Sequence, residues 1–172
     1  AEQQRVQDSI RAAEEAEERA RQQALEEERR QQEALAAAEA ARQQEAAAAQ
    51  QAALTQELGS LGMITYDLDS SYLTPEAKET LRKIADFLQR NDSINLSIIG
   101  HTNSLGAAKY NQWLSERRAR RAYDFLIGEG ISASRLSYAG MGESQLLNHC
   151  SDGVKCTAAE HEVNRRVELK IN

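Results

Sequence analysis

The first glycine of this chain is Gly59 and its single proline is Pro75. Residues 1–53 consist almost wholly of Ala, Glu, Gln and Arg, with no glycine, proline, cysteine or aromatic residue. These are the strongest helix formers, and nothing interrupts the hydrogen-bond ladder, so the segment is constrained to one continuous helix. Unbroken, it reaches roughly 80 Å at about 1.5 Å rise per residue. Residues able to form a core are sparse: Val6, Ile10, Leu25, Leu35 and Leu54. A heptad frame can be drawn through Val6, Ile10, Ala13, Ala20, Ala24, Ala34, Ala38 and Ala41. Glutamate or glutamine fills several of its seam positions, which makes a poor zipper. Two readings follow: a weak alanine-type coiled coil, or a solitary helix supported by pairs such as Glu15–Arg19 and Glu17–Arg21. The favoured one is a solvated helical spacer with weak self-association.

The composition changes sharply after this segment, which divides the chain into an N-terminal helix (residues 1–58) and a globular domain (59–172). Residues 1–53 carry seven basic and twelve acidic groups, the remainder fourteen and fifteen, which together make the net charge of −6. Such a chain has no electrostatic footprint for nucleic acid. The group Arg117, Arg118, Arg120 and Arg121 points in several directions at helical spacing. No apolar run approaches the length of a membrane span. The chain opens abruptly inside a repetitive segment, so an export signal and a membrane anchor are expected to lie outside it.

In the globular part, Leu58-Gly59-Ser60-Leu61-Gly62 reads as the hinge where the helix stops. Met63 to Leu68 reads as a strand. Thr74-Pro75 is a helix start, with threonine as N-cap and proline in the first turn. Ala77, Leu81, Ile84, Ala85 and Leu88 form the buried stripe of that helix. Asn95 to Gly100 is expected as a second strand, Ala107 to about Glu129 as a second helix, and Arg135 to Gly140 as a third strand. Val167, Leu169 and Ile171 alternate with charged residues, as in a half-exposed last strand. The order β-α-β-α-β-β, with helices on one face of a mixed sheet, makes this an α+β domain.

Between the second strand and second helix lies Gly100-His101-Thr102-Asn103-Ser104-Leu105-Gly106. A polar, glycine-bounded loop leading into a helix collects free backbone N–H groups at one rim of a sheet, where small anions bind. On that helix Asn111, Leu114 and Arg118 are spaced i, i+3, i+7 and share a face directed back toward the loop. One guanidinium, several loop dipoles and an apolar floor suit a carboxylate. The layout lacks a nucleophile and its base.

Gly-His-Thr-Asn-Ser-x-Gly, Tyr110-Asn111-x-x-Leu114-Ser115-x-x-Arg118-Ala119, Gly140-Met141-Gly142-Glu143 and Asn164-Arg165-Arg166-Val167-Glu168 occur in the order found in the OmpA C-terminal-like family, which this sequence resembles from about Met63 to Asn172. That family includes the periplasmic part of OmpA, the Pal lipoproteins and the stator protein MotB. The resemblance implies a non-catalytic domain without a cofactor that grips peptidoglycan through the diaminopimelate of the stem peptide. It implies that Arg118 clamps the diaminopimelate carboxylate, a task that suits a planar two-pronged donor. Asp67, Leu68, Thr102, Asn111 and Leu114 would line the same pocket. Asp67 and Asp69 serve equally well as caps of the turn that follows them. Asn103 departs from the pattern, because relatives carry an aspartate there to meet the ligand ammonium. Asparagine keeps an acceptor, adds two donors and loses the charge, which predicts weaker binding, an altered wall peptide, or none. Otherwise it shapes the loop as an Asx turn. Arg165 and Arg166 are expected to support the site or the fold, and His101 to pack structurally.

Cys150 and Cys156 bracket a turn-rich loop, and a disulfide is the expectation in an oxidising periplasm, as in relatives of this family. Zinc held by His149, Cys150, Cys156 and His161 is the sharper alternative, with a spacing unlike common finger signatures. The functional expectation is therefore a tether between the cell wall and the outer membrane or an envelope complex, in the periplasm of a Gram-negative bacterium. Its partner is peptidoglycan, with a homo-oligomer through the N-terminal helix as a further expectation. The alternative is a stator-like, envelope-spanning oligomerisation protein whose wall binding Asn103 has weakened or altered. A zinc-dependent wall hydrolase is the third and least favoured reading.

Overall fold

A computed structural model describes residues 2–172. Helix α1 spans Glu2–Ser60. Residues up to Gln51 form one unit and Ala52–Asn172 a second, more densely connected one. In the first, every described residue is exposed, and the helix rests on backbone propensity and i,i+4 pairs such as Glu15–Arg19 and Glu26–Arg30. At 3.6 residues per turn, Val6, Ile10, Leu25 and Leu35 fall in a single sector about 100° wide. All four are more than half exposed. The last turns of α1, from Ala52, belong to the second unit, where Leu58 is buried in the core and Leu54 packs against it. No described helix is long and apolar enough to cross a membrane.

The second unit is an α+β domain on a four-stranded mixed sheet of order β1-β4-β2-β3. The strands are β1 (Ile64–Thr65), β2 (Leu96–Gly100), β3 (Leu136–Gly140) and β4 (Arg166–Ile171). β2 runs parallel to β3 and antiparallel to β4, which in turn pairs antiparallel with β1. Helix α2 (Pro75–Arg90) starts as expected, with the Thr74 side chain accepting from Ala77 N and proline in the first turn. Its stripe of Ala77, Leu81, Ile84, Ala85 and Leu88 is buried together with Leu96, Ile98, Leu126 and Val167. Helix α3 (Ala108–Gly128) connects the two parallel strands.

Three elements differ from expectation. β1 is two residues long instead of running from Met63 to Leu68. Its pairing ends with Tyr66 N donating to Arg165 O. Beyond that the chain turns through Asp69 at φ +54°, and the carbonyls of Asp67 and Ser70 are taken by Arg118. A short helix, α4 (Ala158–Glu162), also interrupts the expected final β-β step, opened by a capping box between Thr157 and Glu160. The third strand starts at Leu136 because Ala133–Arg135 form a 3-10 turn. From it Arg135 donates to the carbonyls of Leu88, Asn91 and Ile94, closing the end of α2.

Gly100 and Gly140 stand opposite each other at the ends of β2 and β3. A Cβ on Gly100 would lie 2.0 Å from Ser115 O, and one on Gly140 2.4 Å from Glu116 N. These glycines let the middle of α3 lie directly on the sheet. One turn later on the same helix comes Arg118.

Candidate ligand-binding site

Arg118 is fully buried. Its Nε donates to Ser70 O at 2.8 Å, Nη1 to His101 O at 3.1 Å and Nη2 to Asp67 O at 3.1 Å. The guanidinium therefore ties together the β1–α2 loop and the β2–α3 loop, the two rims of the site. Below it lies Tyr66, whose ring centroid is 5.2 Å from the guanidinium carbon. Burial, with a contribution from Arg165, lowers the Arg118 pKa to about 10, which leaves it charged at neutral pH. Five N–H groups are available on a guanidinium. Among the described residues, carbonyls engage one on Nε and one on each Nη, so each terminal nitrogen keeps a further N–H.

Asn103 is buried, and its Oδ1 accepts from Leu105 N at 3.3 Å in an Asx turn. Its Nδ2 has no protein partner, and neither does the buried Thr102 Oγ1. The loop around the arginine thus offers unmet donors rather than a carboxylate. Asn111 is buried at the start of α3. Its Nδ2 is shared among Asn103 O, Leu105 O and the Glu143 carboxylate. That amide is occupied in pinning the loop, so Asn111 sits beneath the site as a support. Leu114 is buried beside it on the same helix. Leu68 is exposed on the opposite rim, and Asp67 contributes a backbone carbonyl to Arg118. The Tyr110 hydroxyl donates to Asp69 Oδ1, which raises the Tyr110 pKa, chiefly through that bond.

Arg165 and Arg166 lie behind this arrangement. Arg165 Nε donates to Tyr66 O at 3.0 Å, while buried Arg166 binds the Glu168 carboxylate and Gln145 O. His101 is buried with neither ring nitrogen hydrogen-bonded and Glu168 at 3.7 Å. Burial, reinforced by Arg166 and opposed by Glu168, lowers its pKa. Cys150 and Cys156 form a disulfide with Cα atoms 5.9 Å apart. His161 is buried and separate from them; Glu160, one residue earlier, takes the place assigned to it beside His149.

Tyr66 and Glu143 carry much of this geometry, yet sequence reasoning gave neither a role. The signal for Tyr66 was the alternation Ile64, Tyr66 against Thr65, Asp67. Glu143 lies within the Gly140-Met141-Gly142-Glu143 motif, and its partner Asn111 is 32 residues away in sequence.

Fold and site define a class: an α+β domain with helices on one face of a mixed four-stranded sheet and an arginine buried between two loops at its rim. Solved structures share this fold. They include the peptidoglycan-associated lipoprotein from Burkholderia pseudomallei, with TM-score 0.58 and 21% identity over 64% of this chain and 89% of that one. The C-terminal domain of Helicobacter pylori MotB matches with TM-score 0.57 and 19% identity, over 64% of this chain and 84% of that one. The model of the OmpA family matches residues 65–159, more than half of the chain, and the chain belongs to that family. Outer membrane porin F of Pseudomonas fluorescens is 35% identical over 108 residues, which cover 63% of this chain. Outer membrane protein A of Klebsiella pneumoniae is 33% identical over 114 residues, again 63% of this chain. The chain spans 32% and 33% of the length of these two relatives.

Proposed function

We propose that the domain binds peptidoglycan non-covalently through the diaminopimelate of a stem peptide and makes or breaks no bond. The observation that carries this reading is the donor set around Arg118. A guanidinium held rigidly by three carbonyls keeps one N–H on each terminal nitrogen, and the amide of Asn103 is buried without a partner. Unmet buried donors are costly unless an acceptor arrives, and a carboxylate is the acceptor that matches them. Asp69, on the rim opposite the asparagine, supplies the anionic charge for an ammonium group that position 103 lacks. Names among the relatives agree with this setting, since they are outer membrane proteins and a peptidoglycan-associated lipoprotein. On this reading the chain works in the periplasm as a tether, its helix setting a distance.

Calorimetric titration of the full chain with a diaminopimelate-containing stem peptide tests the proposal. Saturable binding is expected, lost in Arg118→Lys while the far-ultraviolet spectrum is kept. Binding that Arg118→Lys leaves unchanged overturns the clamp. Absent binding that Asn103→Asp restores means that this chain has given up the ligand while keeping the fold.

A second reading rests on the single exposed sector of Val6, Ile10, Leu25 and Leu35 on α1. A shared apolar face on an otherwise polar helix favours weak self-association. Concentration-dependent sedimentation of the full chain, abolished by alanine at those four positions, supports it, and a monomer at all concentrations removes it.

A further inference from the structure

The loop that carries the disulfide also carries a set of metal-ligating groups that wall binding does not use. One donor atom each from His149, Cys150, Cys156 and Glu160 lies within 4.8 Å of all the others. His149 Nε2 is 3.8 Å from Cys156 Sγ and 3.9 Å from Glu160 Oε1. We infer that reduction of the Cys150–Cys156 bond converts this loop into a tetrahedral zinc site made of two thiolates, the His149 imidazole and the Glu160 carboxylate.

Three features of the surroundings favour it. First, the carboxylate is already oriented. Glu160 Oε2 accepts from Thr157 N at 2.8 Å and from Thr157 Oγ1 at 2.9 Å, which leaves Oε1 as the oxygen facing His149. A ligand held by an outer partner in this way is the usual arrangement at metal sites. Second, the backbone on the Cys150 and Glu160 sides of the cluster is held by bonds other than the S–S bond. Asn148 Nδ2 donates to Glu160 O at 2.7 Å, Asn164 Nδ2 to Asn148 Oδ1 at 2.9 Å, Cys150 N to Asn148 Oδ1 at 3.2 Å, and Ser104 Oγ to Cys150 O at 2.6 Å. None of these bonds uses a sulfur atom. Third, the donor set is chemically selective. Two soft sulfurs, an imidazole and one carboxylate, close enough for bonds of about 2.0–2.3 Å, suit zinc rather than calcium or magnesium. Two sulfurs on one zinc ion sit about 3.8 Å apart by tetrahedral geometry at those bond lengths, which the Cα separation of 5.9 Å accommodates.

The chemistry balances with a dithiol as the reductant. The Cys150–Cys156 bond breaks and takes up two electrons and two protons as the dithiol closes to its own disulfide. Each thiol then releases its proton to solvent as its sulfur binds the metal. Oxidised and zinc-bound forms exclude each other, because the same two sulfurs serve both.

The full chain, reduced with a phosphine and then freed of it without oxygen, is titrated with zinc against a chromophoric chelator, beside the untreated chain. One equivalent bound by the reduced chain and none by the oxidised chain is expected. His149→Ala and Glu160→Gln should each weaken binding at least tenfold while leaving disulfide formation intact, and cobalt in place of zinc should give the thiolate charge-transfer absorption of a tetrahedral site. Cys150→Ala combined with Cys156→Ala, followed by circular dichroism, reports whether the fold persists without the bridge. Equal uptake by reduced and oxidised chains overturns the inference. So does uptake by the reduced chain that both His149→Ala and Glu160→Gln leave unchanged, or no uptake at all.

Discussion

Tyr66 and Arg118 hold each other at both ends: the Tyr66 hydroxyl donates to the main-chain oxygen of Arg118 at 2.9 Å, and its ring lies 5.2 Å from the guanidinium carbon. A residue just past the end of β1 thereby sets both the seat of helix α3 and the environment of the charge. Desolvation raises the Tyr66 pKa well above the usual phenol range, so the hydroxyl remains a donor at any pH at which the domain works.

Replacing Tyr66 with Phe removes that donor and keeps the ring. The expected loss is about 1 kcal/mol of stability, the usual net worth of one such bond. Urea denaturation should show a lower midpoint with an unchanged slope, and stem-peptide affinity should fall only slightly. A large loss of affinity with no loss of stability would place the hydroxyl in ligand contact instead.

Gly100→Ala and Gly59→Ala should act in opposite directions. At Gly100 the added methyl meets Ser115 O at 2.0 Å, backbone that cannot swing aside, while at Gly59 nothing lies within 4 Å. Gly100→Ala is expected to destabilise by about 3 kcal/mol or more by forcing α3 off the sheet. Gly59→Ala, inside a helix, should stabilise by about 0.5–1 kcal/mol. Thermal melts of the two variants decide this directly.

Stability should fall on mild acidification because of His101. Its folded pKa lies below the unfolded value of 6.5, through burial first and Arg166 second. Between the two values the unfolded chain binds a proton that the folded chain does not, so stability rises with pH across that window. It should be complete above the unfolded pKa, decline as pH drops below it, and level off under the folded pKa. Urea midpoints from pH 7.5 downward measure this, and His101→Asn should flatten the profile.

Removing the disulfide by Cys150→Ala with Cys156→Ala should cost about 2 kcal/mol, the low end for a bridge, because so short a loop restricts the unfolded chain little. Two-state denaturation of the variant checks the magnitude. A loss beyond about 4 kcal/mol would mean that the bridge supports the Ser104–Cys150 connection to the 101–106 loop, in addition to its entropic effect.

Several features were legible in the amino-acid order because their causes are local. Helix α1 follows from propensity over a stretch without glycine or proline, the start of α2 from Thr74-Pro75, and the stripe of α2 from residues three and four apart. The Asx turn at Asn103 is likewise a contact two residues long. Motif order carried the resemblance to the family as far as the domain and the neighbourhood of its site. Elsewhere the decisive partners are distant in sequence. Arg118 takes its carbonyls from Ser70, Asp67 and His101, and recruiting the first two is also what cuts β1 short. Nothing in the spacing of Asn111 reveals that its amide is occupied by loop carbonyls and Glu143. The choice of Glu160 over His161 beside His149 rests on a capping box in a helix of five residues, too short for periodicity to announce. Amino-acid order alone is enough to say which segments are helical or extended and which residue types stand near the rim, since backbone preferences act over a few neighbours. Which buried donors are spent and which lack a partner follows instead from tertiary packing, because each hydrogen bond is settled by carbonyls that folding brings from elsewhere in the chain.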